Sequence, residues 1–266
     1  MLALNPLRQR LDNGEVAFGL GLRLARTMET VALAAGTGYH WLFIDMEHSA
    51  LTSDTAGDLC MAALGAGVAP LVRVSASDYT TAARLLDNGA WGILLSHIDG
   101  PEQAAEAVRE LKFPPEGHRS VSYGLAQLGF PQMPRADAAR RFNEQMVLLA
   151  MVESPRAVTQ AEAIAAVPGI DGLFVGTNDL SMDLGIADDL GAPGIRHAYA
   201  QVVAACRAHG KWPAVGGVYD EELLQRAIDQ GMRLILAGTD MALLLDGLRQ
   251  RSVMLQRCLA AAKPAD

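Results

Sequence analysis

The sequence predicts a closed (β/α)8 barrel in one domain over residues 1–266, and three observations carry that expectation. A short apolar run, a polar or glycine junction and an Ala/Leu-rich helical stretch alternate eight times along the chain. Such alternation builds a parallel sheet, and eight units of it close the sheet into a barrel of the TIM type. The chain has 266 residues, which suits a single unit of this kind, since such barrels take about 250. No linker-like stretch divides it.

In order, strands are expected at 16–22, 40–46, 70–74, 92–98, 147–153, 171–176, 214–219 and 233–238. Each is a short run rich in apolar residues, as suits a strand buried on both faces. Helices are expected at 27–36, 53–67, 78–88, 101–111, 155–167, 196–209, 221–230 and 240–259. Gly36, Gly67, Gly89 and Gly231 stand where helices stop ahead of the next strand. Ser154-Pro155 places a capping hydroxyl before a proline at the first helical position. Val158, Ala161, Ile164 and Ala165 then share one helical face. The stretch 113–135 is a long loop with prolines at 114, 115, 131 and 134. Long loops in compact domains are often functional, and this one is expected over the active face. The last helix carries Met241, Leu244, Leu245, Leu248, Leu255 and Leu259. That stripe either covers the barrel or packs on a neighbouring subunit.

Composition removes several classes of function. Aromatic residues are only 5% of the chain, so Ala, Leu, Val and Ile must fill the core. Lys and Arg are outnumbered 22 to 30 by Asp and Glu, with no basic run, so neither nucleic acid nor an anionic membrane is an expected partner. The apolar runs are strand-length, too short to span a bilayer, and the first residues have no signal-peptide layout. Cys60, Cys206 and Cys258 are scattered without pairing or metal spacing, which predicts a reducing, cytoplasmic setting.

In parallel barrels, ligands bind at the carboxyl ends of the strands. The stretch Trp41-Leu-Phe-Ile-Asp-Met-Glu-His-Ser49 is apolar at first and then presents Asp45, Glu47 and His48 together. Arg73 ends the third run, His97 and Asp99 follow the fourth, Glu153 ends the fifth and Asp179 lies past the sixth. Asp220 and Asp240 stand where helix caps belong. The three lysines, Lys112, Lys211 and Lys263, fall away from these ends, so a Schiff-base mechanism is not expected. No Gly-x-Ser-x-Gly elbow and no strand-end cysteine offers an acyl-enzyme nucleophile. Glu153 and Asp179, on adjacent strand ends, suit a hard divalent cation such as Mg2+ or Mn2+, though each also fits a first-turn helix charge. Arg73 presents a fork that matches a carboxylate bidentately, or pairs with Glu47 or Asp45 as structure. His48 is the residue type most often used as a general base, and it is the candidate for that role.

Six motifs, in order, resemble the HpcH/HpaI aldolase family. They are Ile44-Asp-Met-Glu-His-Ser49, Val72-Arg-Val74, Leu86-Asp-Asn-Gly-Ala90, Phe113-Pro-Pro-Glu-Gly-His-Arg119, Met151-Val-Glu153 and Phe174-Val-Gly-Thr-Asn-Asp-Leu-Ser181. The resemblance implies a metal-dependent (class II) pyruvate aldolase. In that role Glu153 and Asp179 hold a divalent metal (Mg2+, Mn2+ or Co2+), with no organic cofactor. Arg73 binds the pyruvate carboxylate, and His48 is the base with Asp87 as its dyad partner. Asp45, Glu47 and the Gly176-Thr177-Asn178 stretch complete the substrate site. The resemblance also implies a homo-oligomer, a trimer or hexamer, that exchanges its C-terminal helix. The chain departs from the family's better-known pattern at Met151 (Gln there), Thr177-Asn178 (Pro-Ala), Ser96 (Pro), Ser120 (Gly) and Gly21 or Leu22 (a Trp near this point). The metal and base groups are kept, and the lining that meets the aldehyde is altered.

The expected reaction is reversible cleavage of a 4-hydroxy-2-oxo acid to pyruvate, or a close 2-oxo acid, and an aldehyde through a metal-stabilised enolate. Two alternatives stand beside it. One is a CoA-ester lyase of the citrate/malyl-CoA type on the same barrel, though the chain offers few basic groups for nucleotide phosphates. The other is a non-catalytic barrel.

Overall fold

A computed structural model of the chain describes residues 4–121, 124–187 and 189–261; Lys263 lies outside them. Eight parallel strands close into a barrel in sequence order, with β8 pairing back onto β1. They are β1 (Ala17–Leu22), β2 (Trp41–Asp45), β3 (Ala69–Val74), β4 (Gly92–Leu95), β5 (Val147–Val152), β6 (Gly172–Gly176), β7 (Trp212–Gly216) and β8 (Leu234–Thr239). Each expected run contains or overlaps one of them. Burial on both faces explains why the runs are nearly unbroken in apolar character; every residue of β2, β3, β4, β5 and β6 is buried.

The low aromatic content has a packing counterpart inside the barrel. Phe43 and Phe174 stack at 5.9 Å, and Trp41 meets Phe43 edge-on at 6.3 Å. Room for the Trp41 ring comes from glycine on the neighbouring strand β1: a Cβ on Gly19, its register partner, would sit 2.1 Å from Trp41 Cε2. Large and small residues thus alternate across the interior, as close packing requires.

The helices are α1 (Pro6–Asp12), α2 (Met28–Gly36), α3 (Ser53–Ala66), α4 (Tyr79–Asp87), α5 (Pro101–Leu111), α6 (Arg135–Gln145), α7 (Pro155–Thr159), α8 (Ala161–Ala165), α9 (Thr177–Asp183), α10 (Pro193–Ala208), α11 (Glu221–Gln230) and α12 (Asp240–Ala261). Four differences from expectation have local causes. The single helix expected at 155–167 breaks at Gln160 into α7 and α8, although Ser154 caps it as foreseen by accepting from the Ala157 amide at 3.0 Å. The helix α1 was not foreseen. It buries Leu7 and Leu11, and Arg8 reaches the Met146 carbonyl at 2.8 Å and Asp171 at 2.5 Å. Those partners precede β5 and β6, so α1 covers the side where strands begin. The helix α6 has only Ala139, Phe142 and Asn143 buried, too sparse a stripe to read as periodic. The short α9 falls within a strand-end motif.

The loop 113–135 corrects an expectation. It leaves the C-terminal end of α5, on the side away from the strand ends. Gln127 donates to the carbonyls of Leu86 and Ala90 at 2.6 and 2.7 Å, in the turn that leads into β4. The described part of the loop encloses its own hollow of about 340 Å3, lined by Phe113, Leu125, Phe130 and Met133 among others. None of its described residues lines the cavity at the strand carboxyl ends.

Candidate active site at the strand carboxyl ends

A cavity of about 180 Å3 opens at the barrel mouth. Its floor is Phe43, Met151, Phe174 and Leu236; its polar lining includes Arg23, Asp45, His48, Arg73, Glu153, Thr177, Asn178, Asp179 and Tyr219. Of the sequence-derived candidates, His48, Arg73, Asp45, Glu153, Asp179, Gly176, Thr177 and Asn178 therefore meet in one place, and Glu47 and Asp87 do not line it.

Glu153 follows β5 and is buried. Its Oε2 accepts the His97 backbone N–H at 2.8 Å, with His97 Nδ1 at 3.5 Å. His97 has φ 53°, an uncommon conformation for a residue other than glycine, and it is this left-handed turn that aims the amide at the carboxylate. Burial pushes the Glu153 carboxyl up to about 6; His97 and Arg73 oppose the rise, and the Asp179 carboxylate adds to it. Val152 pairs with Val175 across β5 and β6, which sets Glu153 beside Gly176. A Cβ there would stand 2.5 Å from Glu153 Oε1. Asp179 is in the first turn of α9, so the helix-charge reading and the cavity reading both describe it.

Arg73, Asp45 and Glu47 form a charged cluster in the adjoining wall. Arg73 donates from Nε to Asp45 Oδ1 at 3.0 Å and from Nη2 to Oδ2 at 2.7 Å. Its Nη1 lies 3.4 Å from Glu47 Oε2, and its guanidinium lies 5.0 Å over the Phe43 ring. The fork is thus engaged by Asp45, the structural pairing left open by the sequence, while Arg73 also faces the cavity. Burial opposes ionisation of Asp45, but the Arg73 fork and the Glu47 and His48 amides outweigh it and hold the carboxyl below the usual range. Glu47 stands behind this wall. Its Oε1 accepts from the Ser96 hydroxyl at 2.6 Å, whereas Oε2 is buried with no hydrogen-bond partner. Ser96, one of the departures from the family pattern, is therefore a ligand of Glu47.

His48 is half-exposed at the rim, with Nε2 3.9 Å from Glu47 Oε2. Its partner by resemblance, Asp87, is elsewhere: it ends α4 and pairs with Arg119 at 2.5 Å. Among the described residues no hydrogen bond or ion pair joins Asp87 to His48. Within one chain the dyad is not formed, because α4 runs outside the barrel and delivers Asp87 to its far end. Lys112 and Lys211 bond the carbonyls of Asn143 and Ile170, away from the cavity.

Among the described residues no group of three or more His, Cys, Asp or Glu side chains has metal-holding spacing. The acidic pair still fits a hard cation. Glu153 is buried beside a like charge, the Asp179 carboxylate. Carboxylate oxygens crowded against like charge are what a divalent ion neutralises, with water and substrate completing its shell.

Sequence reasoning did not single out Arg23 or Tyr219, which also line the cavity. Arg23 directly follows β1, so the strand-end rule applies to it as it does to Arg73. Asp240 is the first residue of α12 rather than its cap, since Thr239 Oγ1 accepts the Ala242 amide at 3.2 Å; its carboxylate instead accepts the amides of Arg23, Leu24 and Ala25 at 2.7–3.1 Å.

Comparison with known proteins identifies the family. The family model described as HpcH/HpaI aldolase/citrate lyase matches residues 24–247. A 4-hydroxy-4-methyl-2-oxoglutarate aldolase of Hapsidospora irregularis is 36% identical, covering 96% of this chain and 97% of that protein. A hydroxypyruvate/pyruvate aldolase of Roseobacter denitrificans is 32% identical over 91% of this chain and 94% of that protein. The crystal structure of an HpcH/HpaI aldolase from Desulfitobacterium hafniense superposes with a TM-score of 0.87 at 28% identity, covering 98% of each chain. The chain belongs to the HpcH/HpaI aldolase/citrate lyase family of enzymes.

Proposed function

We propose that the chain is a divalent-metal-dependent pyruvate aldolase, splitting a 4-hydroxy-2-oxo acid into pyruvate, or a close 2-oxo acid, and an aldehyde. The observation that carries this reading is the convergence of Glu153, Asp179, Arg73 and His48 on one cavity of small-molecule size. Glu153 and Asp179 would hold Mg2+, Mn2+ or Co2+, whose chemistry when bound is Lewis-acid polarisation of a keto oxygen.

The protein's own groups supply the rest. Arg73, fixed by Asp45, puts a permanent positive charge in the wall that meets a 2-oxo acid's carboxylate. His48 at the rim takes the proton from the 4-hydroxyl in cleavage, or from the pyruvate methyl in synthesis. Phe43, Met151, Phe174 and Leu236 keep water from the reacting carbons. Thr177 and Asn178 line the wall where the acceptor lies. The relative named as a hydroxypyruvate/pyruvate aldolase supports testing hydroxypyruvate as a second donor.

A homo-oligomer, trimer or hexamer, with α12 exchanged between subunits is part of the proposal. It is supported by α12, which buries none of its residues and leaves Leu244, Leu248 and Leu255 more than half exposed. No described helix is long and apolar enough to cross a membrane. The free thiols of Cys60, Cys206 and Cys258 support a cytoplasmic setting.

The test is exchange of the pyruvate methyl protons in D2O, followed by NMR with Mg2+ present. Exchange that stops in EDTA, returns with Mg2+ and is lost in Glu153→Ala and Asp179→Ala is the expected result. Undiminished exchange in chelator would remove the metal role. Bound metal without exchange would favour a non-catalytic barrel.

A further inference from the structure

We infer that Arg23 selects, as the carbonyl acceptor, a short oxo acid whose carboxylate sits on or next to its reacting carbonyl. The inference rests on the aldolase reading and adds to it the class of the second substrate. Four observations carry it.

First, Arg23 lines the same cavity as Arg73, Glu153 and Asp179, and its side chain is 35% exposed against 10% for Arg73. It is the outer of the two cations. Second, its charge is poorly neutralised. Asp45, 3.5 Å away, is already bidentate to Arg73. The other partner of the guanidinium is a neutral group, the His48 carbonyl, which accepts from Nε at 3.1 Å and Nη2 at 2.8 Å. Nη1 has no hydrogen-bond partner among the described residues.

Third, the position of Arg23 is pre-set. Asp240 turns its carboxylate to the backbone amides of Arg23, Leu24 and Ala25. It pins the loop that carries the arginine without engaging its guanidinium, whose Nη1 stays open to a ligand. Such preorganisation limits the ordering that binding would otherwise require. Tyr219, on the same wall, has a hydroxyl with no hydrogen-bond partner among the described residues, so a second donor stands ready there.

Fourth, spacing restricts the ligand. Arg73 Nη2 and Arg23 Nε approach the same oxygen, Asp45 Oδ2, at 2.7 and 3.5 Å. The two guanidinium groups are therefore separated by a single carboxylate oxygen. A donor whose carboxylate meets Arg73 forms its new bond only two carbons away from that carboxylate. A carboxylate on the acceptor's own carbonyl carbon, or on the next, then falls beside Arg23. A longer acid would carry its charge past it, and a neutral aldehyde would leave the fork to water.

The experiment compares aldol addition of pyruvate to glyoxylate and to glycolaldehyde, acceptors of like size that differ in charge, with Mg2+ present. Wild type should prefer glyoxylate. In Arg23→Ala the glyoxylate-to-glycolaldehyde ratio of kcat/KM should fall about 10- to 100-fold, the range for losing a charge-assisted hydrogen-bonded pair. Arg23→Lys, which keeps the charge but not the fork, should retain part of the preference. An equal loss for both acceptors would overturn the inference, since that is what a purely positioning role through the His48 carbonyl would give. So would a wild-type enzyme indifferent to acceptor charge. Methyl exchange of pyruvate, measured on the same wild-type sample, separates the two levels. Normal exchange with an unaltered ratio sinks the acceptor assignment alone, and absent exchange sinks the aldolase reading with it.

Discussion

Gly176→Ala is a one-atom probe of the proposed metal centre. Gly176 has φ −84° and ψ 89°, in a region open to alanine, so the substitution introduces no backbone strain. Its effect is steric. The new Cβ would lie 2.5 Å from Glu153 Oε1 and 2.7 Å from Cγ, where ordinary contact begins at 3.4 Å. The carboxylate must retreat by about 0.9 Å to go from 2.5 to 3.4 Å, and its other oxygen is held by the His97 amide. A displacement near 1 Å at a positioned group costs about 100-fold, or about 2.7 kcal/mol. Titration calorimetry with Mn2+ should therefore show Kd rising by about 10- to 100-fold, with Tm within a few degrees of wild type. Wild-type Mn2+ affinity in a folded Gly176→Ala protein would refute the reasoning, because it would mean that Glu153 does not hold the ion.

Three further outcomes follow from the same geometry. Asp45→Asn leaves the buried Arg73 without its bidentate partner and should lose about 3–5 kcal/mol in urea denaturation. The pH dependence has a definite sign: the Asp45 carboxyl is held below its usual value of 3.8, so its contribution is full above about pH 4 and is lost as pH falls through the folded pKa. A wild-type protein whose acid unfolding is unchanged by Asp45→Asn would contradict this. Gly19→Ala drives a methyl 2.1 Å from Trp41 Cε2 inside the barrel. It should lose about 1–3 kcal/mol by overpacking, readable as a lower urea midpoint, and an unchanged midpoint would count against the packing account. The double substitution Leu244→Glu and Leu248→Glu places charges on the exposed apolar stripe of α12. Light scattering should find a multiple of 28.2 kDa for wild type and 28.2 kDa for the variant; an unaltered oligomer would show that α12 is not the contact.

Most of the barrel was legible in the sequence because parallel strands are buried on both faces, so each reads as an apolar run whatever its neighbours are. The same reasoning led to Asp45, His48, Arg73, Glu153 and Asp179, which line one cavity, since strand carboxyl ends share one rim in this architecture. It recovered less where a residue's role depends on who stands across from it. Whether Arg73 is free or paired is decided by the β2–β3 register, which sets Asp45 opposite Arg73. Nothing in either strand's own pattern reports that pairing. Asp87 carried a motif, but α4 leads it to Arg119, at the opposite end of the helix from the cavity's rim.

What the sequence by itself determined, then, is the succession of buried strands and surface helices, and through it the closed sheet and the rim on which polar strand ends gather. These depend on local composition and period. Tertiary structure alone decided which charges meet: Asp45 with Arg73, Ser96 with Glu47, the His97 amide with Glu153, and Asp240 with the loop that carries Arg23. Each of these joins residues from different strand–helix units, so distance and direction settle it, and the order of residues along the chain encodes neither in readable form.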